Sequence, residues 1–265
     1  NGVVCASAGN HAQGVAFACS HLQVKGTIYM PVVTPKQKID QTTMFGGEWV
    51  DVVLEGDTFD DSKKAAELFC EQEGKTFVHP FDDEKTIEGQ ATVGLEILQQ
   101  TSEPIDYVFV AVGGGGLASG LCGTFQALSP NTRIIGVEPE GVPSMLKSIE
   151  EGALVELENI DKFIDGAAVQ KVGSLTYPIC REYLHKMITV PEGKVCQTIL
   201  DLYNRDAIVV EPAGALTIAA LDYFKEEIKG KNVVCVVSGS NNDITRTAEI
   251  KERALLYAQL KHYFI

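Results

Sequence analysis

The chain has 265 residues, 45% of them hydrophobic and 22% charged, with a formal net charge of −14. That length carries one large or two ordinary domains around a buried core, and the acidic balance argues against nucleic acid or an anionic membrane as partner. No apolar run is long enough to span a bilayer and no basic segment opens the chain, so neither a membrane helix nor a signal peptide is expected and the protein reads as cytoplasmic.

In chain order, Val3 to Ser7 reads as a strand and Asn10 to Leu22 as a helix, with Asn10 as its N-cap and Ala12, Val15, Ala16 and Cys19 on one face. Gly26 to Met30 is a strand. Pro35 to Phe45 is a helix with proline in its first turn, ended by Gly46-Gly47. Glu48 to Leu54 is a strand, and Asp57 to Glu73 an amphipathic helix with Phe59, Ala65, Ala66, Phe69 and Cys70 inward. Lys75 to Val78 is a short strand. The polar stretch His79-Pro80-Phe81-Asp82-Asp83-Glu84 reads as a break between lobes.

Thr86 to Gln99 is then helical and contains Gly89 and Gly94, which cost helix propensity and point to close packing or a ligand's approach. Tyr107 to Val112 is a buried strand, Leu117 to Leu128 a helix, and Arg133 to Val137 a strand. Glu140 to Gly152 is a loop and short helix. Leu154 to Lys171 is the least regular part, with a turn at Asp165-Gly166-Ala167-Ala168. Ser174 to Leu184 is a helix, Lys186 to Val190 a strand, Pro191 to Tyr203 a helix and Ala207 to Val210 a short apolar segment. Glu211-Pro212-Ala213-Gly214-Ala215 opens a helix that runs to Phe224. Asn232 to Val237 is a strand as buried as the one before the glycines, and Ser238 to Asp243 caps a last helix from Ile244 to about Ala258. Strands alternating with helices throughout indicate an α/β protein built on parallel sheets, whose ligands bind at the carboxyl ends of the strands.

The seven cysteines (Cys5, Cys19, Cys70, Cys122, Cys180, Cys196, Cys235) are dispersed without a C-x-x-C pair, a pattern of reduced, packed thiols. The five histidines lack metal-ligand spacing, and no metal site is expected.

Three strand exits carry small polar residues: after Cys5, after Val112 and after Val237. The second is Gly113-Gly114-Gly115-Gly116-Leu117, four glycines running into a helix. Backbone N–H groups at such a helix start cradle an anion, most often a phosphate, whereas a plain turn needs one or two glycines. Gly113 to Ala118 also satisfies G-x-G-x-x-[GA], with Glu138 about twenty residues on, as in a dinucleotide site with its ribose-binding acid. A nicotinamide dehydrogenase is therefore one reading, although it gives no use to the loops Ser7 to His11 and Ser238 to Asn241. Blander readings stand beside both: Ser7, Asn10 and Asn241 as helix caps, Ser238 as a strand-end turn residue, and Glu138 and Glu211 as structural residues.

Ala6-Ser7-Ala8-Gly9-Asn10-His11-Ala12-Gln13-Gly14, the tetraglycine loop and the Ser238-Gly239-Ser240-Asn241 exit together resemble the pyridoxal-phosphate enzymes of the tryptophan-synthase-β fold type. With Gly89-Gln90-Ala91-Thr92, Asp165-Gly166-Ala167-Ala168-Val169 and Glu211-Pro212-Ala213-Gly214-Ala215, the chain resembles most the threonine dehydratases (threonine deaminases) within that group. The resemblance implies fold type II: a small α/β lobe over residues 1–86, a large α/β lobe over 87–255 carrying the phosphate loop, and the start of a linker over 256–265.

It also implies roles for residues. The phosphate of pyridoxal 5′-phosphate would sit on the N–H groups of Gly113, Gly114, Gly115, Gly116 and Leu117. Asn10 would donate to the ring 3-oxygen, and Ser238 would hydrogen-bond the pyridine nitrogen. Ser7, Ala8, Gly9, Asn10 and His11 would bind the carboxylate of a small amino-acid substrate, with His11 positional rather than a base. A hydroxyl at the ring nitrogen makes the ring a weaker electron sink than a carboxylate partner would, which suits β-elimination.

The implied activity is elimination from L-threonine, and from L-serine, to the keto acid and ammonia in isoleucine biosynthesis. Serine dehydratase or serine racemase of the same fold is the alternative, and a non-catalytic remnant a further one. A homo-oligomer is implied. The segment Tyr257 to Ile265 is similar to the lead into a regulatory ACT-like domain that binds isoleucine. One departure stands out: the family's Schiff-base lysine lies in an S-F-K type motif upstream of the Ser7 loop, and no lysine here has that context. With Asn1-Gly2 opening on a strand and Tyr263-Phe264-Ile265 stopping inside an apolar pattern, the sequence reads as a fragment with no catalytic residue of its own, unable to turn over alone.

Overall fold

The structure, a computed structural model, describes residues 2–263; Asn1 and the last two residues of the expected linker, Phe264 and Ile265, lie outside the described residues. The chain forms two compact units, one up to Asp83 and one from Glu84 on.

The first unit comprises β1 (Val3–Ala6), α1 (Asn10–Leu22), β2 (Gly26–Met30), α2 (Lys36–Gly46), β3 (Val50–Leu54), α3 (Phe59–Glu73) and β4 (Thr76–Phe77). Its four strands are all parallel, in the order β3-β2-β1-β4. Alternation along β1 divides the core into two layers. Cys5 packs with Ala12, Val15, Ala16 and Cys19 of α1, while Val4 and Ala6 face Ala66 and Cys70 of α3. Helix α3 starts at a capping box, in which the Thr58 side chain accepts from the Asp61 N–H and the Asp61 carboxylate accepts from the Thr58 N–H; Gly74 in the left-handed region ends it.

The second unit comprises α4 (Glu84–Gln100), β5 (Tyr107–Ala111), α5 (Gly116–Leu128), β6 (Arg133–Pro139), α6 (Ser144–Glu151), α7 (Thr176–Tyr183), β7 (Lys186–Val190), α8 (Glu192–Asp206), α9 (Pro212–Ala220), β8 (Val233–Cys235) and α10 (Thr247–Tyr257). This sheet is also wholly parallel, ordered β7-β6-β5-β8, so β5 is central and β8 lies at its side. Val108, Val110 and Val112 pack against Leu121, Cys122 and Phe125 of α5; Tyr107 and Phe109 pack on the other face with Leu216 and Phe224. A continuous apolar run is what a strand covered on both faces requires.

The α/β class and the parallel sheets agree with the sequence reading. All seven cysteines are free thiols, six of them buried. Burial pushes the thiols of Cys5, Cys180 and Cys196 up to about 12, so they pack as neutral groups.

Four local expectations are corrected. Asn10 is the first helical residue of α1 and Gly9 is its N-cap, because the Ser7 hydroxyl accepts from the Gly9 N–H (3.1 Å) and turns the chain one residue earlier. Phe59 is exposed rather than inward, because Ser62 takes the buried place one turn into α3. β8 is shorter and only half-buried, unlike β5. The Val236 N–H still donates to Phe109, but the Val236 carbonyl accepts from the Thr217 hydroxyl (3.1 Å) and the strand ends. The helix opened by Glu211 gives way to a 3-10 turn over Leu221–Phe224.

Candidate active site

In the second unit the chain leaves β5 at its carboxyl end and enters the glycine run. Gly114, Gly115 and Gly116 are buried, and Gly113 and Leu117 half-buried. Gly115 is the N-cap of α5, with φ +95°, a conformation open to glycine and strained for other residues. A Cβ on Gly115 would lie 2.8 Å from Thr176 and 2.9 Å from Met145 Cε, and one on Gly113 would lie 3.1 Å from Ala167 Cα. The protein's own packing therefore disfavours a side chain at Gly113 and at Gly115.

Both loop carbonyls are occupied. That of Gly114 accepts from the Thr176 hydroxyl (2.6 Å) and the Gly173 N–H (3.3 Å); that of Gly115 accepts from the Ser119 N–H (2.8 Å). Among the described residues no protein acceptor takes the N–H of Gly113, Gly114 or Gly115, and the N–H groups of the first helical turn have no partner within α5. Donors without a protein acceptor at a helix start, with the dipole's positive end behind them, suit an anion such as a phosphate.

β8 pairs with β5, so Ser238, three residues past β8, leaves the sheet beside the glycine run. Ser238 is exposed. Its loop is held from below: the Glu211 N–H donates to the Gly239 carbonyl (3.0 Å), and the Glu211 carboxylate accepts from the Asn241 N–H (3.3 Å). A Cβ on Gly214 would lie 2.8 Å from that same Gly239 carbonyl. Glu211 thus has the structural role that was one reading of it, whereas Thr176 and Gly214 were missed as supports of the two loops. Only Gly214, a glycine in a first helical turn, carries a signal that sequence reasoning could have used.

The first unit carries Ser7, Ala8, Gly9, Asn10 and His11 at the carboxyl end of its own β1. Ser7 to Gly9 are half-buried and Asn10 is exposed at the start of α1. His11 Nε2 donates to the Val78 carbonyl (2.9 Å), and burial holds its pKa below the ordinary imidazole range, so the ring is neutral at pH 7.

Glu138 decides between the two readings of the glycine run. It is fully buried and points at the start of α6, accepting from the N–H of Met145 (2.7 Å) and Leu146 (2.9 Å) and from the Ser144 hydroxyl (3.5 Å). Burial pushes its carboxyl up to about 8, against the downward pull of those donors. Both oxygens are committed to capping a helix, so no ribose-binding acid stands where a dinucleotide site needs one. Of the metal option, among the described residues no three His, Cys, Asp or Glu side chains group around a common point.

This α/β architecture and its phosphate-fitting glycine loop agree with the family model for pyridoxal-phosphate dependent enzymes, which matches residues 1–239; the chain belongs to that family. It is similar to the biosynthetic L-threonine dehydratases IlvA of Halalkalibacterium halodurans (58% identical over 265 residues, 100% of this chain and 64% of the relative) and Bacillus subtilis (54%, 100% and 63%). Among solved structures, it is similar to the processed form of threonine deaminase isoform 2 from Solanum lycopersicum, with 43% identity and a TM-score of 0.90 over 96% of this chain and 70% of that one. Maize serine racemase shares 29% identity at a TM-score of 0.86, over 97% of this chain and 78% of that one. The chain spans somewhat under two thirds of the length of the curated relatives it matches.

Proposed function

We propose that the protein is a pyridoxal-phosphate-dependent ammonia-lyase that eliminates water from L-threonine, and from L-serine, to release 2-oxobutanoate or pyruvate with ammonia. The observation that carries this reading is the 58% identity to a biosynthetic threonine dehydratase over the entire chain. The N–H groups of Gly113 to Leu117 would hold the cofactor phosphate and the Ser238 hydroxyl would meet the pyridine nitrogen, while the Asn10 amide of the first unit would donate to the ring 3-oxygen. Ser7, Ala8, Gly9 and His11, with Asn10, would bind the substrate carboxylate through main-chain and hydroxyl donors. When bound, the cofactor supplies an electron sink that acidifies the substrate Cα–H. Ser238, whose neutral hydroxyl would not stabilise a protonated ring nitrogen as a carboxylate does, would keep that sink modest, which suits loss of the β-hydroxyl. His11, neutral and donating to Val78, orients the substrate loop rather than taking a proton.

A Schiff-base lysine and an isoleucine-binding regulatory domain would lie in the part of the relatives' length that this chain does not span. The protein acts in the cytoplasm as a homo-oligomer on a small amino acid. The test is keto-acid release by the full-length protein from L-threonine and L-serine. Release of 2-oxobutanoate from threonine supports the reading. Turnover confined to serine, or formation of D-serine, supports a serine enzyme of the same fold instead. No keto acid from either substrate sinks it.

A further inference from the structure

We infer that Thr176 is a positioning residue for the phosphate site, acting through the peptide bond between Gly114 and Gly115. A trans peptide is planar, so its carbonyl and N–H point in opposite directions. The Gly114 carbonyl is held on one side by the Thr176 hydroxyl (2.6 Å) and the Gly173 N–H (3.3 Å), which aims the Gly115 N–H the other way. The Gly115 carbonyl is held in the same manner by the Ser119 N–H (2.8 Å), with the Cys180 thiol at 4.0 Å, which aims the Gly116 N–H to the same side. The two donors most central to an anion cradle therefore point outward because the two carbonyls are tethered inward.

Glycine makes the tether necessary. A residue with free access to both signs of φ flips its peptide at little cost, and four glycines in a row have no side chain to prevent it. Thr176 is fully buried, and the space next to the Gly115 Cα is filled by its Cβ and Oγ1, so its hydroxyl has a fixed place from which to act. Ser119 closes the set from behind, donating to the Thr176 carbonyl (3.4 Å) and lying 3.6 Å from the Cys180 thiol. Helix α7, sixty-two residues further along the chain than the loop, is thereby the scaffold that keeps the donors aimed.

This inference rests on the proposed pyridoxal-phosphate site, and the comparison of pyridoxal 5′-phosphate with pyridoxal separates the two. In the full-length protein, Thr176→Val removes the hydroxyl at nearly constant shape, and Thr176→Ser restores it. Affinity is read by fluorescence titration with each ligand, and the phosphorus-31 shift of bound pyridoxal 5′-phosphate is read by NMR. Thr176→Val should weaken pyridoxal 5′-phosphate about tenfold, the size of one net hydrogen bond, and move the phosphorus shift, while pyridoxal binds as in the unmodified protein. Thr176→Ser should recover most of the loss. Equal weakening of both ligands, or wild-type affinity for the phosphorylated one, overturns the positioning role. An unmodified protein that does not distinguish the two ligands overturns the site itself. Where Thr176→Val does not fold, Thr176→Ala carries the same comparison.

Discussion

Replacing Gly115 with alanine perturbs the glycine run where backbone and packing constraints meet. At φ +95° an L-residue is strained, at a cost of about 1–2 kcal/mol. The added methyl would lie 2.8 Å from Thr176 Cβ and Oγ1 and 2.9 Å from Met145 Cε, and both neighbours are fully buried. Overpacking of that kind adds about 1–3 kcal/mol. Gly115→Ala should therefore lower the unfolding free energy by roughly 2–5 kcal/mol. Gly123 in the same helix is the matched control: it is exposed, and a Cβ there meets nothing within 4 Å. Gly123→Ala should raise stability by about 0.5–1 kcal/mol through helix propensity alone. Urea denaturation followed by circular dichroism measures both. A loss of less than about 1 kcal/mol at position 115, or equal effects at the two positions, would refute the reasoning.

Other consequences follow from the same geometry. Glu138 has a folded pKa of about 8, above its unfolded value, so the folded state binds the proton more tightly. Its contribution is complete at low pH, falls as pH rises from the unfolded value of about 4.3, and levels off above the folded one, with a slope of at most about 1.4 kcal/mol per pH unit. The stability difference between the parent protein and Glu138→Gln should accordingly shrink as pH rises toward 8; a difference that does not change with pH contradicts this. Gly120→Ala drives a methyl to 2.6 Å from the Ala91 nitrogen and 2.7 Å from the Gln90 carbonyl carbon, both backbone atoms of α4. It should cost about 2 kcal/mol or more by thermal unfolding, and a neutral effect would mean the two helices can separate freely. Thr58→Ala removes the capping box of α3 and should cost about 1 kcal/mol, with amide exchange rising in the first turn of that helix; unchanged protection there would count against it.

Much of this architecture is written locally. β2 and β7 are short runs rich in β-branched and other strand-favouring residues, each followed by a proline, and their limits agree with the sequence reading. Four consecutive glycines before a helix announced a place where backbone must approach something closely. What the sequence concealed depends on distant partners. Asn10 looks like a cap, but the Ser7 hydroxyl takes the Gly9 N–H and moves the cap to Gly9. The half-buried state of β8 follows from its place at the edge of the sheet rather than from its own composition, which is as apolar as that of its neighbour. Glu138 has the spacing of a ribose-binding acid, and its capping of α6 becomes visible only once the chain has folded back on it. Thr176 reads as an ordinary helix residue until its hydroxyl is placed on Gly114.

The most direct measurement is a crystal structure of the full-length protein grown with pyridoxal 5′-phosphate. The account predicts the phosphate within hydrogen-bonding distance of the main-chain N–H groups of Gly113 to Leu117, with the ring nitrogen at Ser238. Density for the phosphate on lysine or arginine side chains elsewhere, or a glycine run whose N–H groups turn inward, would contradict it.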